Sequence, residues 1–189
     1  MLSVGSGGEV EKEIRLNLAP RHVSLVTSDI DPGRNPAVVD DLSRSAFAEN
    51  SFDYVFVIEV FEHIQDPFKA SQELMRILRP GGCALITTPF IFMIHDAPYD
   101  FYRFTEYGLR RLLMNYADVE VHSRGTWFDA IAIMILRLPL TKSRFARLVA
   151  IILLPIGLVI HLLMKFISYG TTVSLITPGY ITYARKARR

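Results

Sequence analysis

The sequence predicts a doubly wound α/β fold, a mainly parallel seven-stranded sheet with an apolar helical insertion before its last strand. Three observations carry this. Apolar runs such as Phe52–Ile58 (FDYVFVI) have the near-continuous pattern of parallel strands covered on both faces. They alternate with segments of helical spacing, as βαβ units require. Gly- and Asp-rich turns follow the runs at the places where such sheets bend into helices. At 189 residues, half of them apolar, the chain is long enough for one sizeable core.

The elements follow in order. Leu2–Val4 is a short first strand that ends at Gly5-Ser6-Gly7-Gly8, and Glu9–Leu18 reads as a helix stopped by Pro20. His22–Ser28 is a second strand, closing on Asp29-Ile30-Asp31-Pro32, and Ala37–Val39 a short third. After Phe52–Ile58, Pro67–Leu78 sets Phe68, Leu74, Ile77 and Leu78 at helical spacing, with Pro67 suited to the first turn. Pro80-Gly81-Gly82 reads as a turn and Cys83–Thr88 as a buried strand. Thr105 caps a helix running through Tyr116, followed by a strand at Val119–Arg124. Phe128–Leu138 and Leu148–Ile167 are strongly apolar, with Pro139–Arg144 between them, and Gly179–Ala184 (GYITYA) returns to strand before a basic tail. The organisation is therefore a core at 1–127, an apolar insertion at 128–170, and the last strand with its tail at 171–189.

Charge divides along the same line. Residues 122–189 carry ten basic groups against Asp129 alone, whereas residues 1–121 hold eleven basic and eighteen acidic groups. Basic residues beside aliphatic runs suit anionic lipid headgroups. They do not form the polar basic helix that nucleic acid requires, so no nucleic-acid partner is expected. The single Cys83 excludes an intramolecular disulfide, and no Cys/His cluster has zinc spacing, so no metal is expected. Nothing at the start resembles a secretory signal, and the expected location is the cytoplasm, at the inner face of the membrane.

A glycine-rich turn between a first strand and first helix lets backbone approach a ligand closely. Asp29, at the end of the second strand, stands where a carboxylate accepts the ribose hydroxyls of an adenosine. The bland reading, with Asp29 or Asp31 as turn chemistry before Pro32, stays open. Dinucleotide binding needs a further glycine at position 10, where Val10 stands, so a smaller ligand without phosphate fits better.

The segments VGSGG (4–8), SDIDP (28–32), DDLSRSAF (40–47), NSFDYVFVIEVFEHIQDP (50–67) and ELMRILRPGGCALITTPF (73–90) resemble class I methyltransferases of the Rossmann-like type that use S-adenosylmethionine. The type 11 group and the ubiquinone/menaquinone-biosynthesis methyltransferases are the most similar, over roughly residues 1–125. The resemblance implies that Gly5, Ser6, Gly7 and Gly8 pack under the methionine part of the cofactor. It implies further that Asp29 holds the ribose with Ile30 against the adenine, and that Asp41 meets the adenine amino group. Leu42 presents its backbone amide to the ring, and Glu59 and Val60 line the sulfonium side. The chain departs from the pattern at Ser3, where an acidic residue is usual, and at Glu9, where a glycine is common. Met1 also lies directly before the first strand, so the helix that usually precedes it is not part of this sequence.

Candidate bases follow the fourth and fifth strands. His63 has a suitable ordinary pKa, with a helix-capping role as its rival reading. The loop from His95 to Thr105 is similar to H-x-x-P-x-D-[FY]-x-R-[FY]-T runs of methyltransferases found with glycan-biosynthesis enzymes. There His95 is the candidate base, and Asp96, Tyr99 and Arg103 the candidates for binding substrate. An Asp100–Arg103 staple with Thr105 as helix cap is the competing account.

Leu148–Ile167 has the length of a bilayer core, but a single pass fails on topology. In the resembled fold the seventh strand inserts antiparallel between the fifth and sixth, which returns both ends of the insertion to the sheet. A hairpin dipping into one leaflet is the favoured reading, with a dimer surface as its rival. The expected function is methyl transfer from S-adenosylmethionine to a hydroxyl of a glycan or lipid-linked small molecule. A quinone or other lipid acceptor is the alternative, and a non-catalytic Rossmann-like binding protein is the contrasting class.

Overall fold

The computed structural model describes residues 1–18, 23–137, 144–167 and 176–188. The helix stop expected at Pro20, the start of the second strand at His22 and most of the Pro139–Arg144 connection lie outside them. The strands are β1 (Leu2–Val4), β2 (Val26–Asp29), β3 (Val38–Val39), β4 (Phe52–Ile58), β5 (Leu78–Pro89), β6 (Asp118–Ser123) and β7 (Gly179–Arg185). The helices are α1 (Gly8–Leu18), α2 (Pro67–Ile77), α3 (Glu106–Leu112), α4 (Trp127–Arg137) and α5 (Arg144–Ile167). All seven strands form one sheet in the order β3-β2-β1-β4-β5-β7-β6. Strands β1 to β5 are parallel, and β7 runs antiparallel to both β5 and β6. The expected doubly wound, Rossmann-like α/β fold is what the chain adopts.

Burial explains the central strands. Val55 and Val57 of β4, Leu2 of β1 and Ala84 and Ile86 of β5 are buried with Leu74, Ile77 and Leu78 in one core. Helix α2 starts cleanly because the Asp66 carboxylate accepts from the Lys69 amide at 3.0 Å and Pro67 occupies the first turn. It then buries Ala70, Ser71, Leu74 and Ile77 on one stripe.

Several boundaries differ from the sequence reading, and four of them have a clear local reason. Strand β2 begins at Val26 because its partner β1 is short: the ladder runs Leu2↔Val26 to Val4↔Ser28, leaving nothing to pair with an earlier start. It extends to Asp29 because β3 supplies Val39 opposite. Strand β5 runs through Pro80-Gly81-Gly82, which forms an irregularity in the β4–β5 ladder rather than a separate turn. Gly82 has to be glycine there, since a Cβ would press on the carbonyls of Arg79, Asp53 and Phe52. Helix α3 stops at Leu112, so that Tyr116 turns inward and donates its hydroxyl to the Ser71 carbonyl at 3.0 Å. Burial pushes the Tyr116 phenol above its ordinary pKa.

Helices α4 and α5 form the insertion between β6 and β7. They pack together, and Gly157 of α5 lies against the Ile135 side chain, where a Cβ would already be tight. The outward surface is aliphatic: Ile131, Met134 and Leu136 of α4 are exposed, as are Phe145, Leu148, Ile151, Ile152, Ile156, Leu158, Val159 and Leu162 of α5. Among the described residues no helix is long and apolar enough to cross a membrane.

Candidate active site

The order of the sheet reverses between β1 and β4, and the carboxyl ends of the strands on either side of that point define a crevice. The chain between β1 and α1 enters it. Gly5 and Gly7 both have positive φ, 71° and 122°. A Cβ on Gly5 would collide with the Val60 side chain, so the turn passes β4 at a distance only glycine allows. The Ser6 amide donates to the Ser28 carbonyl at 3.0 Å, tying the turn to the end of β2. The hydroxyls of Ser6 and Ser28 are buried there without a hydrogen-bond partner.

Asp29 closes β2 and is 5% exposed. Its Oδ1 accepts from the Asp31 amide at 2.8 Å, and Oδ2 faces Arg34 Nε at 3.8 Å. The turn chemistry and a carboxylate edge that faces Arg34 therefore coexist on one side chain. Ile30 is 67% exposed, an open apolar surface beside that carboxylate. The Asp40 amide bonds the Asp29 carbonyl at 3.0 Å, which brings the next loop alongside. In that loop Asp40 is buried and holds Ser45 Oγ and the Ala46 amide. Asp41 caps the short helical turn Leu42–Arg44 through the Ser43 amide, and Leu42 is buried in the core. Glu59, just beyond β4, has φ 53°. Its Oε1 accepts from Thr87 Oγ1 at 2.8 Å and from Arg124 Nη1 at 2.7 Å. Arg124, from the far side of the sheet, was not picked out by the sequence reading, because nothing in a single basic residue after a strand signals a partner sixty-five positions away.

A second group assembles where the loop after β5 folds over the turn after β4. Glu62 is fully buried, and its backbone carbonyl accepts from the Phe101 amide at 2.8 Å and the Tyr102 amide at 3.2 Å. Its carboxylate oxygens have no hydrogen-bond partner, and burial pushes this acid up to about 8. His63 Nδ1 lies 2.7 Å from the Tyr99 carbonyl, so that nitrogen carries the proton and Nε2 faces inward. His95 packs edge-on against His63, with ring centroids 4.8 Å apart. Both Nε2 atoms sit 3.8 Å from Glu62 Oε1.

The loop residues expected to meet substrate separate into two sets. Asp96 and Tyr99 are exposed beside the histidines. Arg103 instead forks onto Asp100, with Nη2 at 2.7 Å from Oδ2, and donates to the Met93 carbonyl at 2.9 Å. Asp100 is 1% exposed, and the Arg103 guanidinium holds its carboxyl well below the usual range. Thr105 Oγ1 accepts from the Gly108 amide, capping α3. The staple is thus the structural role of Arg103, and the open side chains of the loop are Asp96 and Tyr99. Phe92 of the same loop packs edge-on to His95 and lies 5.1 Å under the Arg137 guanidinium at the end of α4, so the apolar insertion adjoins this group.

The family model describing a methyltransferase domain matches residues 5–86, which include the glycine turn, Asp29, Asp41, Glu59 and His63. The match takes in 82 of the 189 residues. The chain is similar to 2-methyl-6-phytyl-1,4-hydroquinone methyltransferase of Synechocystis, 29% identical over 38% of this chain and 23% of that enzyme. It is also similar to cycloartenol-C-24-methyltransferase of Arabidopsis thaliana, 42% identical over 23% of this chain and 13% of that enzyme. The aligned stretches are thus under a quarter of either relative's length. Among solved structures, phosphoethanolamine N-methyltransferase 2 of Haemonchus contortus with S-adenosyl-L-methionine superposes at a TM-score of 0.64. That match is 18% identical and covers all of this chain and 48% of the other. It shows the shared fold.

The crevice suits S-adenosylmethionine, the cofactor that the resemblance implies, on grounds internal to this chain. Two orphaned buried hydroxyls, a glycine turn too close to β4 for a side chain, and a nearly buried carboxylate beside exposed Ile30 are donor, cradle and acceptor for a ligand that is polar at one end and flat and apolar at the other.

Proposed function

We propose that the chain transfers a methyl group from S-adenosylmethionine to a hydroxyl of a lipid-linked or glycan acceptor presented at a membrane surface. The observation that carries this reading is the adjacency of the exposed aliphatic hairpin α4–α5 to the His63–His95 loop through Arg137 and Phe92. An acceptor anchored in lipid would reach the crevice along that hairpin without leaving the interface. The named actions of the two curated relatives, on a phytyl hydroquinone and on cycloartenol, are on apolar molecules and favour the same direction.

In this reading Gly5–Gly8 cradles the methionine part of the cofactor, Asp29 accepts the ribose hydroxyls, and Ile30 covers the adenine. Asp41 and the Leu42 amide meet the rim of the ring. Glu59, fixed by Thr87 and Arg124, and Val60 line the sulfonium side. When bound, the cofactor supplies an electrophilic methyl. The acceptor oxygen forms the new bond to carbon as the carbon–sulfur bond breaks and sulfur keeps the electron pair. The chain aligns the oxygen, excludes water and takes its proton at the inward Nε2 of His63 or His95. Asp96 and Tyr99 are placed to hold the acceptor's remaining hydroxyls.

Calorimetry with S-adenosylmethionine tests the core of this. The full chain should bind it, and Asp29→Ala should lose on the order of 2–4 kcal/mol of affinity. A folded chain that shows no binding overturns the enzyme reading in favour of a non-catalytic module. Vesicle sedimentation tests the location. Aliphatic burial contributes about 25 cal/mol per Å², which salt does not screen. Each Lys or Arg near anionic lipid adds roughly 1 kcal/mol, which salt does screen. The chain should therefore favour anionic over neutral vesicles and be only partly released by high salt. A monomer indifferent to both vesicle types refutes membrane attachment, and a detergent-independent dimer assigns the apolar face to self-association.

A further inference from the structure

We propose that Glu62, His63 and His95 form a binding site for a divalent transition-metal ion. One donor atom from each lies within 4.8 Å of the other two, and Glu62 Oε1 is 3.8 Å from both imidazole Nε2 atoms. Ligands of one ion at 2.0–2.2 Å in a tetrahedron are separated by about 3.2–3.6 Å. The glutamate–histidine pairs are a few tenths of an ångström wider, within the reach of small rotations about side-chain bonds.

Glu62 supplies the independent observation. Its side chain is completely buried, and neither carboxylate oxygen accepts a hydrogen bond. A buried acid without partners is costly for any fold to keep. The charged groups nearest it, Glu59, Asp100 and Arg103, do not relieve this, because Arg103 is spent on Asp100 and Glu59 is held by Thr87 and Arg124. A cation bridging Glu62 to the two imidazoles would.

Both histidines are also oriented as ligands are. The Tyr99 carbonyl engages His63 Nδ1 at 2.7 Å, and the Asp100 carboxylate stands 3.3 Å from His95 Nδ1. The carbonyl behind the outer nitrogen of His63 fixes the tautomer that leaves its Nε2 free for metal. Two imidazoles and one carboxylate with open positions suit zinc, cobalt, manganese or iron in the divalent state. Asp96 Oδ2, 4.0 Å from His63 Nε2, is the nearest further oxygen.

Such a site keeps a coordination position for an exogenous oxygen, which here is the acceptor hydroxyl. That part rests on the proposed methyl transfer; the binding of metal does not. With an ion in place the imidazole lone pairs are engaged, so the histidines no longer serve as the base: coordination acidifies the hydroxyl and its proton leaves to Asp96 or water.

The full chain, stripped with chelator, should bind one equivalent of Co2+ and develop visible absorption of a low-coordinate nitrogen and oxygen site, with Zn2+ displacing it. Glu62→Gln and His95→Ala should each weaken binding by more than the roughly 10–100-fold typical of losing an outer-shell partner. Retained S-adenosylmethionine affinity would show that each variant is folded. No Co2+ spectrum in the parent chain, or spectra unchanged in both variants, would overturn the site. Failure of the methyl-transfer reading would show instead as absent S-adenosylmethionine binding with the cobalt spectrum intact.

Discussion

Arg103→Ala should destabilise the fold by about 3–5 kcal/mol, because it leaves the buried Asp100 carboxylate without its counter-charge. The pair differs from a surface salt bridge in that Asp100 is 1% exposed and the guanidinium meets both of its oxygens. The same arginine holds the Met93 and Tyr102 carbonyls, so the whole loop from β5 to α3 depends on it. The folded-state pKa of Asp100 is lowered, so its contribution is present above the ordinary carboxylate range and disappears as pH falls through the folded value. Chemical denaturation at neutral pH should show the loss, and placing Asp100→Asn in both proteins should narrow the gap between them at that pH. A loss under about 1 kcal/mol would mean that the loop is not anchored by this pair.

The second large effect concerns turnover. His63→Ala and His95→Ala should each reduce methyl transfer by about 10²–10⁴-fold while changing S-adenosylmethionine affinity by less than about twofold. In the proposed function both residues serve the acceptor and neither belongs to the group built from the glycine turn and Asp29, which is why binding and turnover should part company. Incorporation of labelled methyl from S-adenosylmethionine into lipid-extractable products measures the first quantity and calorimetry the second. Parental incorporation in both variants would leave catalysis to alignment alone.

Most of the architecture was legible because its signals are local. The run Phe52–Ile58 matches β4 residue for residue, and Thr105 was identifiable as a cap from its place before an amphipathic stretch. The antiparallel placement of β7 between β5 and β6 came from the resemblance, and the ladders have it there. What escaped depends on contacts distant in sequence. Pro80-Gly81-Gly82 has turn composition, yet the carboxyl-terminal residues Lys186 and Ala187 bond to this segment and draw it into the sheet. The site divides in the same way. Gly5 and Asp29 could be singled out by their spacing from strand ends, and Glu59 through the resemblance. Glu62 was passed over because it sits between two more conspicuous residues, and only the fold reveals that it faces inward with no partner. The approach of His95 to His63 likewise has no linear signature.

The amide of Arg124 donates to the carbonyl of Gly179 at 2.8 Å, so the chain leaves the sheet and re-enters it at neighbouring points. Everything between them is, for the sheet, a loop closed by a hydrogen bond. Loop-closure entropy grows only with the logarithm of length, about 0.6 kcal/mol for each doubling, so the sheet is nearly indifferent to what the excursion contains. The junction works as a socket. Any segment whose two ends arrive side by side could be plugged into it, as the aliphatic helix pair is here. A protein built this way can change its cellular address, or the solubility class of molecule it meets, by exchanging one cassette.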